Sequence, residues 1–402
     1  MPFYAPAFLA TPADGKPPYQ TLLNAVAVLD HDPMWSAQRL WYDESAGQVM
    51  CAESPTRAWR DDDDVRLTIY MQEHMGMPRI QKSLVSDAVD LVARRRSRHP
   101  IREWLESLKW DGIHRLTTAF EDYWGAMATT DQPSDYLQAA SRNFPISLVR
   151  RVMEPGCKCD TMPVFEGDQG IKKTSALEIL GAPWFASIDV SAGDKDFLQA
   201  LRGKWLIEID ELNAFSKTEA SKVKGMLSRR VDHYRPSYGR RTIAVPRQCV
   251  FAGTTNQNDW AIDDTGNRRF WPIECGEIRI DLLALARDQL FAEAAAAVAA
   301  GEPHWIMPET TRAVQASRHP DHAWTAPILE GLIGQSETTL LYVLTSILKI
   351  KLDDITRPME WHVGSILRHA GWVGKPARRN GRLSRIWFSP ETLRQNTDVL
   401  QL

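Results

Sequence analysis

The sequence predicts an α/β protein: a three-layer core with helices on both faces of a central sheet, a mainly helical region before it, and a small α+β module after it. Three observations carry this prediction. From Met162 onward, short apolar runs alternate with helical patterns, as in a sheet flanked by helices. One of these runs, Met162–Glu166, passes at once into a glycine-bearing stretch, Gly167 to Ser175, and then into the helical apolar pattern Ala176, Leu177, Ile179 and Leu180. Before the core and again beyond about Gly301, the apolar spacing is that of helices. The boundaries that follow are residues 1–150, 151–305 and 306–402.

In the first region, Pro2 to Pro18 is rich in Pro, Ala and Gly and reads as an arm or loop. Helical spacing runs over Leu22–Leu29, Ser86–Arg96, Ile101–Leu108, Leu116–Tyr123 and Tyr136–Met153, with a mixed stretch around Trp41 and Tyr42 and a turn at Trp110-Asp111-Gly112. The acidic run Asp61–Asp64 precedes a further short helix, where it favours the positive end of the helix dipole, so a cap and solvated turn is expected. Magnesium binding is the sharper alternative for that run.

Strand, glycine loop and helix in immediate succession are what a phosphate-binding loop requires. Backbone N–H groups of Gly167, Asp168, Gln169, Gly170, Ile171, Lys172, Lys173, Thr174 and Ser175 would wrap phosphate oxygens, with the helix N-terminus facing the anion. Lys173 would reach the terminal phosphates of ATP, and the Thr174 hydroxyl would ligate Mg²⁺. Against the pattern G-x-x-x-x-G-K-[ST], Gly167, Lys173 and Thr174 fit, but Lys172 stands at the second glycine. A side chain there either crowds the loop and forces a backbone angle that glycine tolerates better, or points outward and adds charge.

The next apolar strand, in Lys204 to Leu212, ends in Asp210-Glu211. The first acid of such a pair holds Mg²⁺ and the second polarises the attacking water. Glu208 shares a strand face with Asp210 because side chains alternate, and it is either a polar contact in the site or the partner of a neighbouring base. Gln248 to Asn256 is another apolar strand, tipped by an Asn able to orient water and sense a γ-phosphate. Arg268 and Arg269 precede the apolar run Phe270-Trp271-Pro272-Ile273, placed to stabilise charge on a neighbour's phosphate. Which of the two acts is not legible, and a surface ion pair is the bland alternative.

Between the acidic strand and Asn256, the segment Lys224 to Arg241 is strongly basic, with Tyr234 and Tyr238 interleaved, as single-strand binders require. In the tail, Trp361–His369 reads as a recognition helix and Trp372–Phe388 as a hairpin. From Arg368 to Trp387 there are several bases and no acids, a profile that fits a winged helix or a solvated basic hairpin.

The order of these elements resembles the superfamily 3 helicases and, more closely, the virulence-associated protein E family of phage and mobile-element replication proteins. Seven short blocks carry the likeness: Trp110–Gly112, Glu154–Lys158, Glu166–Gly170, Leu201–Trp205, Arg235–Arg241, Phe251–Asn256 and Gly266–Pro272. The resemblance implies an AAA+/superfamily 3 helicase-like core that uses ATP and Mg²⁺, assembles as a hexameric ring and acts on single-stranded or forked DNA with replication partners. It also implies that the basic segment is a hairpin in the ring channel, with Arg235, Tyr238, Arg240 and Arg241 as DNA contacts and Gly239 in the turn. Some of those arginines could instead pair with acids of the next subunit or bind nucleotide. Lys172 departs from the family loop and bears on hydrolysis more than on binding. The first 150 residues look too short and too helical for the primase domain of many relatives.

Composition narrows the alternatives. The net charge of −3 excludes uniform coating of nucleic acid, so DNA contact must come from local patches. Five scattered cysteines make no disulfide framework, and Cys157 and Cys159 read as reduced thiols rather than half of a zinc site. No run approaches the ~18 apolar residues of a membrane span, so a cytoplasmic location is expected. The competing reading is a replication initiator or interference factor that uses nucleotide only to assemble. A small-molecule kinase would leave the arginine pair and basic segment idle.

Overall fold

The computed structural model describes residues 6–12, 16–35, 39–52, 56–188, 194–210, 217–235, 242–256, 260, 267–318, 324–379 and 382–390. Five strands form its central sheet: β1 (Met162–Glu166), β2 (Phe185–Ser187), β3 (Leu206–Ile209), β4 (Val250–Thr255) and β5 (Phe270–Glu274). All are parallel, in the order β5-β1-β4-β3-β2. Strands covered on both faces read as continuous apolar runs, and every residue of β1, β3 and β4 is buried.

Alternation along the strands sorts their side chains into two cores. Phe165, Leu206, Val250, Ala252, Trp271 and Ile273 pack with α1 (Ser134–Met153), α2 (Lys173–Gly181) and α4 (Ile280–Ala299). Met162, Val164, Ile207, Ile209, Phe251 and Phe270 pack on the other side with Val223, Met226 and Leu227 of α3 (Lys217–Leu227). Each fully buried aliphatic or aromatic side chain contributes about 1.5–3 kcal/mol, so these cores hold the strand ends in place.

Gly167, Asp210 and Asn256 follow the C-terminal ends of β1, β3 and β4, along one edge of the sheet. Asn267–Arg269 form a short turn before β5, whose Phe270 is level with Met162 and whose Glu274 is level with Glu166. The arginine pair therefore lies at the opposite edge from the glycine loop.

An antiparallel ribbon, Val231–Tyr234 with Ile243–Pro246, precedes β4, with Tyr234 paired to Ile243. Its base is closed by a buried bidentate pair in which Arg247 donates to Asp232 at 2.9 and 2.5 Å. Residues 306–318 run from α1 to β5: Asn143 of α1 donates to the Ile306 carbonyl at 2.8 Å and Gln315 to that of Phe270 in β5 at 2.7 Å.

In the N-terminal region, helices Leu22–His31, Asp61–His74 and Lys82–Arg95 pack with a four-stranded sheet built from Leu40–Asp43, Gln48–Cys51, Arg57–Ala58 and Ser97–Arg98. The sequence pattern did not reveal this sheet, whose strands are four and two residues long. The acidic run forms the first turn of its helix, but it is not a wholly solvated one. Asp63 is buried, accepting from the Arg60 backbone at 2.8 Å and from Arg57 at 2.5 and 2.7 Å, and Asp64 accepts from the Trp59 indole at 2.9 Å. Arg57 holds the Asp63 carboxyl below its ordinary range.

The C-terminal module follows the order helix Thr325–Gly331, strand Glu337–Thr338, helical segment Leu340–Ile347, helix Arg357–His369 and hairpin Val373–Arg379/Arg382–Phe388. The short strand pairs with the second hairpin strand, and Ile328, Val343, Leu344, Val363, Leu367 and Trp387 form the core. The helix expected at Trp361 starts at Arg357, with Pro358 in its first turn, where a missing N–H costs nothing. Among the described residues, no helix is long and apolar enough to cross a membrane.

Candidate functional site

Three residues of the glycine loop take positive φ: Gly167 at 141°, Gly170 at 86° and Lys172 at 74°. At Gly167 the φ of 141° strains any residue with a side chain, and a Cβ would in addition lie 2.8 Å from Ile171 Cδ1 and 3.2 Å from the Cys275 carbonyl. Lys172 sits immediately before α2 in the left-handed region, the backbone angle the sequence raised as the cost of a side chain there. For an L-residue this conformation costs roughly 1–2 kcal/mol. The Lys172 side chain is exposed, so it does not fill the loop. Such backbone turns aim N–H groups into one concavity at the α2 N-terminus, a favourable place for an anion.

Lys173 is 7% exposed and spans that concavity. Its Nζ donates to the Gly167 carbonyl at 2.6 Å, the Asp168 carbonyl at 2.9 Å and Asn256 Oδ1 at 3.0 Å. Burial lowers its pKa, opposed by Cys275, Asp210, Asp168 and Glu208. The tip of β4 and the loop after β1 are thus joined by one ammonium group.

Beside it, Thr174 Oγ1 donates to Glu208 Oε1 at 2.7 Å. Thr254 Oγ1 lies 3.0 Å from the same oxygen and 2.7 Å from Asp210 Oδ1, and its single proton serves one of them at a time. Glu208 is 0% exposed and its Oε2 has no hydrogen-bond partner among the described residues. Burial raises its carboxyl above the ordinary range, against the two threonine hydrogen bonds. Asp210 is exposed at the strand end.

The structure therefore brings together Lys173, Thr174, Asp210 and Asn256, and adds Glu208, whose role the sequence left open. Arg268 is exposed at the far edge of the sheet, and Arg269 donates to Ser228 Oγ at 3.2 Å. Arg235 is exposed at the end of the ribbon strand. Glu211, Tyr238, Arg240 and Arg241 lie outside the described residues.

Sequence reasoning missed one buried cluster. Glu166, the residue before Gly167, is 2% exposed and pairs with Arg318, 4% exposed, at 2.9 Å, and it accepts from the Trp260 indole at 2.7 Å. Oxygen donors dominate the edge of the sheet where Thr174, Glu208 and Asp210 meet, the chemistry a hard cation such as Mg²⁺ takes. Among the described residues, no three His, Cys, Asp or Glu side chains gather as a metal cage.

A family model for the virulence-associated protein E-like domain matches residues 105–323. Among solved structures, an apo structure of the NrS-1 C-terminal region aligns with 90% of this chain and 100% of its own, at 11% identity and a TM-score of 0.49. An A-form apo structure of the same region covers 87% and 96%, at 11% identity and 0.47. A RuvB mutant from Thermotoga maritima covers 64% and 94%, at 11% identity and 0.23. Likenesses of this degree bear on neither activity nor partners. A comparison with the curated proteins gives no match.

Proposed function

Because the chain belongs to the virulence-associated protein E-like family, we infer that it is an ATP-dependent DNA helicase or translocase motor of a phage or mobile-element replication system, working as a hexameric ring with ATP hydrolysed between subunits. The observation that carries this reading is the convergence of Lys173, Thr174, Asp210 and Asn256 at the C-terminal edge of a parallel sheet. β4 lies between β1 and β3, so the chain reverses its winding there, and ligands of doubly wound sheets bind at such switch points. This strand order supports an AAA+/superfamily 3 helicase-like core over residues 151–305, between a mainly helical region (1–150) and the C-terminal module (306–402).

Lys173 exchanges its loop carbonyls for the oxygens of the terminal phosphates. Asn256, already bonded to that ammonium, is placed to register the γ-phosphate and orient water. Glu211 is the candidate to polarise that water. Thr174 and Asp210 would hold Mg²⁺, and the unpartnered oxygen of buried Glu208 beside them fits a positive charge at that place. Bound there, the ion offsets charge developing on the transferred phosphoryl group. Arg268 and Arg269, at the opposite edge, suit a neighbour's site better than their own. Arg235, at the end of the ribbon strand, and Tyr238, Arg240 and Arg241, outside the described residues, are the proposed contacts to single-stranded or forked DNA. The C-terminal module has the helix and strand order of a winged helix, and its basic hairpin supplies a further DNA surface.

The test is ATP turnover and strand displacement on a forked duplex by the wild type and Lys173→Ala. The reading expects both activities in the wild type and neither in the variant; turnover unchanged by the substitution would overturn the site. The left-handed Lys172 favours one alternative, a nucleotide-dependent DNA-binding initiator or interference factor with little unwinding. Robust displacement eliminates it.

A further inference from the structure

We propose that Arg318 is a positioning residue for ATP hydrolysis: through its buried pair with Glu166 it fixes the two strand ends that hold Lys173. The inference rests on the nucleotide-site reading above and extends it to the segment 306–318, outside the proposed core. The guanidinium is spent on two neighbours. Its Nε lies 3.2 and 3.0 Å from the two Glu166 oxygens, Nη2 lies 2.9 Å from Oε2, and Nη1 donates to Ser317 Oγ at 2.8 Å. Arg318 and Glu166 are both buried, so the pair is screened little by solvent. Arg318 therefore acts on a nucleotide by way of the carboxylate it holds.

Glu166 is the place where such a hold reaches the site. Its Oε1 accepts from the indole of Trp260, four residues beyond Asn256, at 2.7 Å, and its backbone carbonyl accepts from the Cys275 N–H, just past β5, at 2.9 Å. The next residue, Gly167, gives its carbonyl to Lys173 Nζ at 2.6 Å, and Asn256 gives Oδ1 to the same ammonium at 3.0 Å. One carboxylate thus stands behind both groups that aim the ammonium. One turn before Arg318, Gln315 donates to the Phe270 carbonyl at 2.7 Å and holds the segment against β5. The bland reading is a core ion pair that contributes stability and nothing else. Replacing such a pair by apolar residues of similar volume is often neutral or stabilising, so stability does not account for two charges here. A planar guanidinium meeting a planar carboxylate fixes direction as well as distance. Burial pushes the Glu166 carboxyl above its ordinary range and Arg318 opposes that, so the charged geometry depends on the guanidinium.

The test is steady-state ATP turnover by the full chain, at a temperature where circular dichroism shows each variant folded. The variants are Arg318→Lys, Arg318→Met, Glu166→Gln, Glu166→Gln/Arg318→Met and, as a control, Arg57→Met. The control breaks the Arg57–Asp63 pair of the N-terminal region and so lowers stability without touching the loop. A displacement of about 1 Å at a reacting group costs about 10²-fold in rate. Expected is a fall in kcat of that order for Arg318→Met and Glu166→Gln, with KM changed far less. Arg318→Lys, which keeps the charge but not the fork, loses less, and Arg57→Met loses nothing. Each single change already breaks the pair, so the double variant loses no more than either one. If Arg318→Met does not fold, Arg318→Lys and Glu166→Gln make the comparison. Wild-type kcat in the folded single variants overturns the proposal, as do additive losses in the double variant or an equal loss in Arg57→Met. Each of these leaves the nucleotide site standing. A wild type that neither turns over ATP nor binds a fluorescent ATP analogue overturns the site itself.

Discussion

Replacing Lys172 by glycine isolates the cost of carrying a side chain at the left-handed position of the glycine loop. Lys172 holds φ 74° and ψ 30° as the last residue before α2. An L-residue in that region carries roughly 1–2 kcal/mol that glycine does not. Against this, glycine gives the unfolded chain more freedom, a loss on folding of roughly 0.5–1 kcal/mol. The difference lies between about 0 and 1.5 kcal/mol in favour of Lys172→Gly, or up to about 5 °C in melting temperature for a unit of this size. Because the Lys172 side chain is exposed, no packing is lost with it. Lys172→Ala separates strain from charge, since it keeps the Cβ and removes the ammonium, and it gains none of that stability. Thermal and urea unfolding read the stability, and ATP turnover reads the consequence: Lys172→Gly turns over at least as fast as the wild type. A Lys172→Gly variant destabilised by about 1 kcal/mol or more would refute the reasoning, because the left-handed angle would then not be what the native loop endures.

Four further outcomes follow from the geometry. Arg318→Met, by stranding the buried carboxylate of Glu166, lowers stability by about 3–5 kcal/mol in urea unfolding, whereas Glu166→Gln/Arg318→Met recovers part of that loss. Burial raises the Glu208 carboxyl above 4.5, so the wild type is favoured while that group keeps its proton and loses that contribution as pH rises through the raised value. Glu208→Gln cannot ionise, so in magnesium-free melts its advantage grows through that window and disappears below 4.5. Arg268→Ala lowers ATP turnover by about 10³-fold or more without weakening nucleotide binding, and an equal mixture with Lys173→Ala regains part of the activity. Gly167→Ala, which drives a Cβ to 2.8 Å from Ile171 Cδ1 at a φ of 141°, weakens nucleotide binding at least tenfold in a direct titration.

What the sequence revealed depended on whether a signal was local. β1, β3 and β4 were legible because strands buried on both faces read as unbroken apolar runs ending in polar residues, and the loop after β1 carries its own glycines. The two-residue strands Arg57–Ala58 and Ser97–Arg98 have no period to read, so the N-terminal sheet was missed. Glu208 could be assigned to a face by alternation, but its choice between a base and the Thr174 hydroxyl needed the placement of α2 against β3. Arg318 lies 152 residues from Glu166, and no local pattern announces a pair formed over that separation. Asp63 and Asp64 misled for a related reason: a run of four acids looks solvated until Arg57 and Trp59 are folded back over it.

The register of β5 against β1 bears directly on the proposed ring. Phe270 is level with Met162, so Arg268 and Arg269 stand beside the start of β1, while Lys173 and Thr174 stand past its end. The five residues of β1, at about 3.3 Å each, put roughly 17 Å of strand between the two places before any loop is counted. The arginines therefore cannot complete the site of their own chain by a change of rotamer. Arg269 is held further by Ser228 just past the end of α3, so of the two the exposed Arg268 is the one proposed to reach a neighbouring subunit. If that arginine supplies charge stabilisation during hydrolysis, specific ATPase activity must rise with protein concentration through the range in which subunits associate. It must also remain low at dilutions where nucleotide is still bound. A specific activity independent of concentration in a chain shown to be monomeric would place the missing positive charge elsewhere in the same subunit, and the ring would lose its chemical reason.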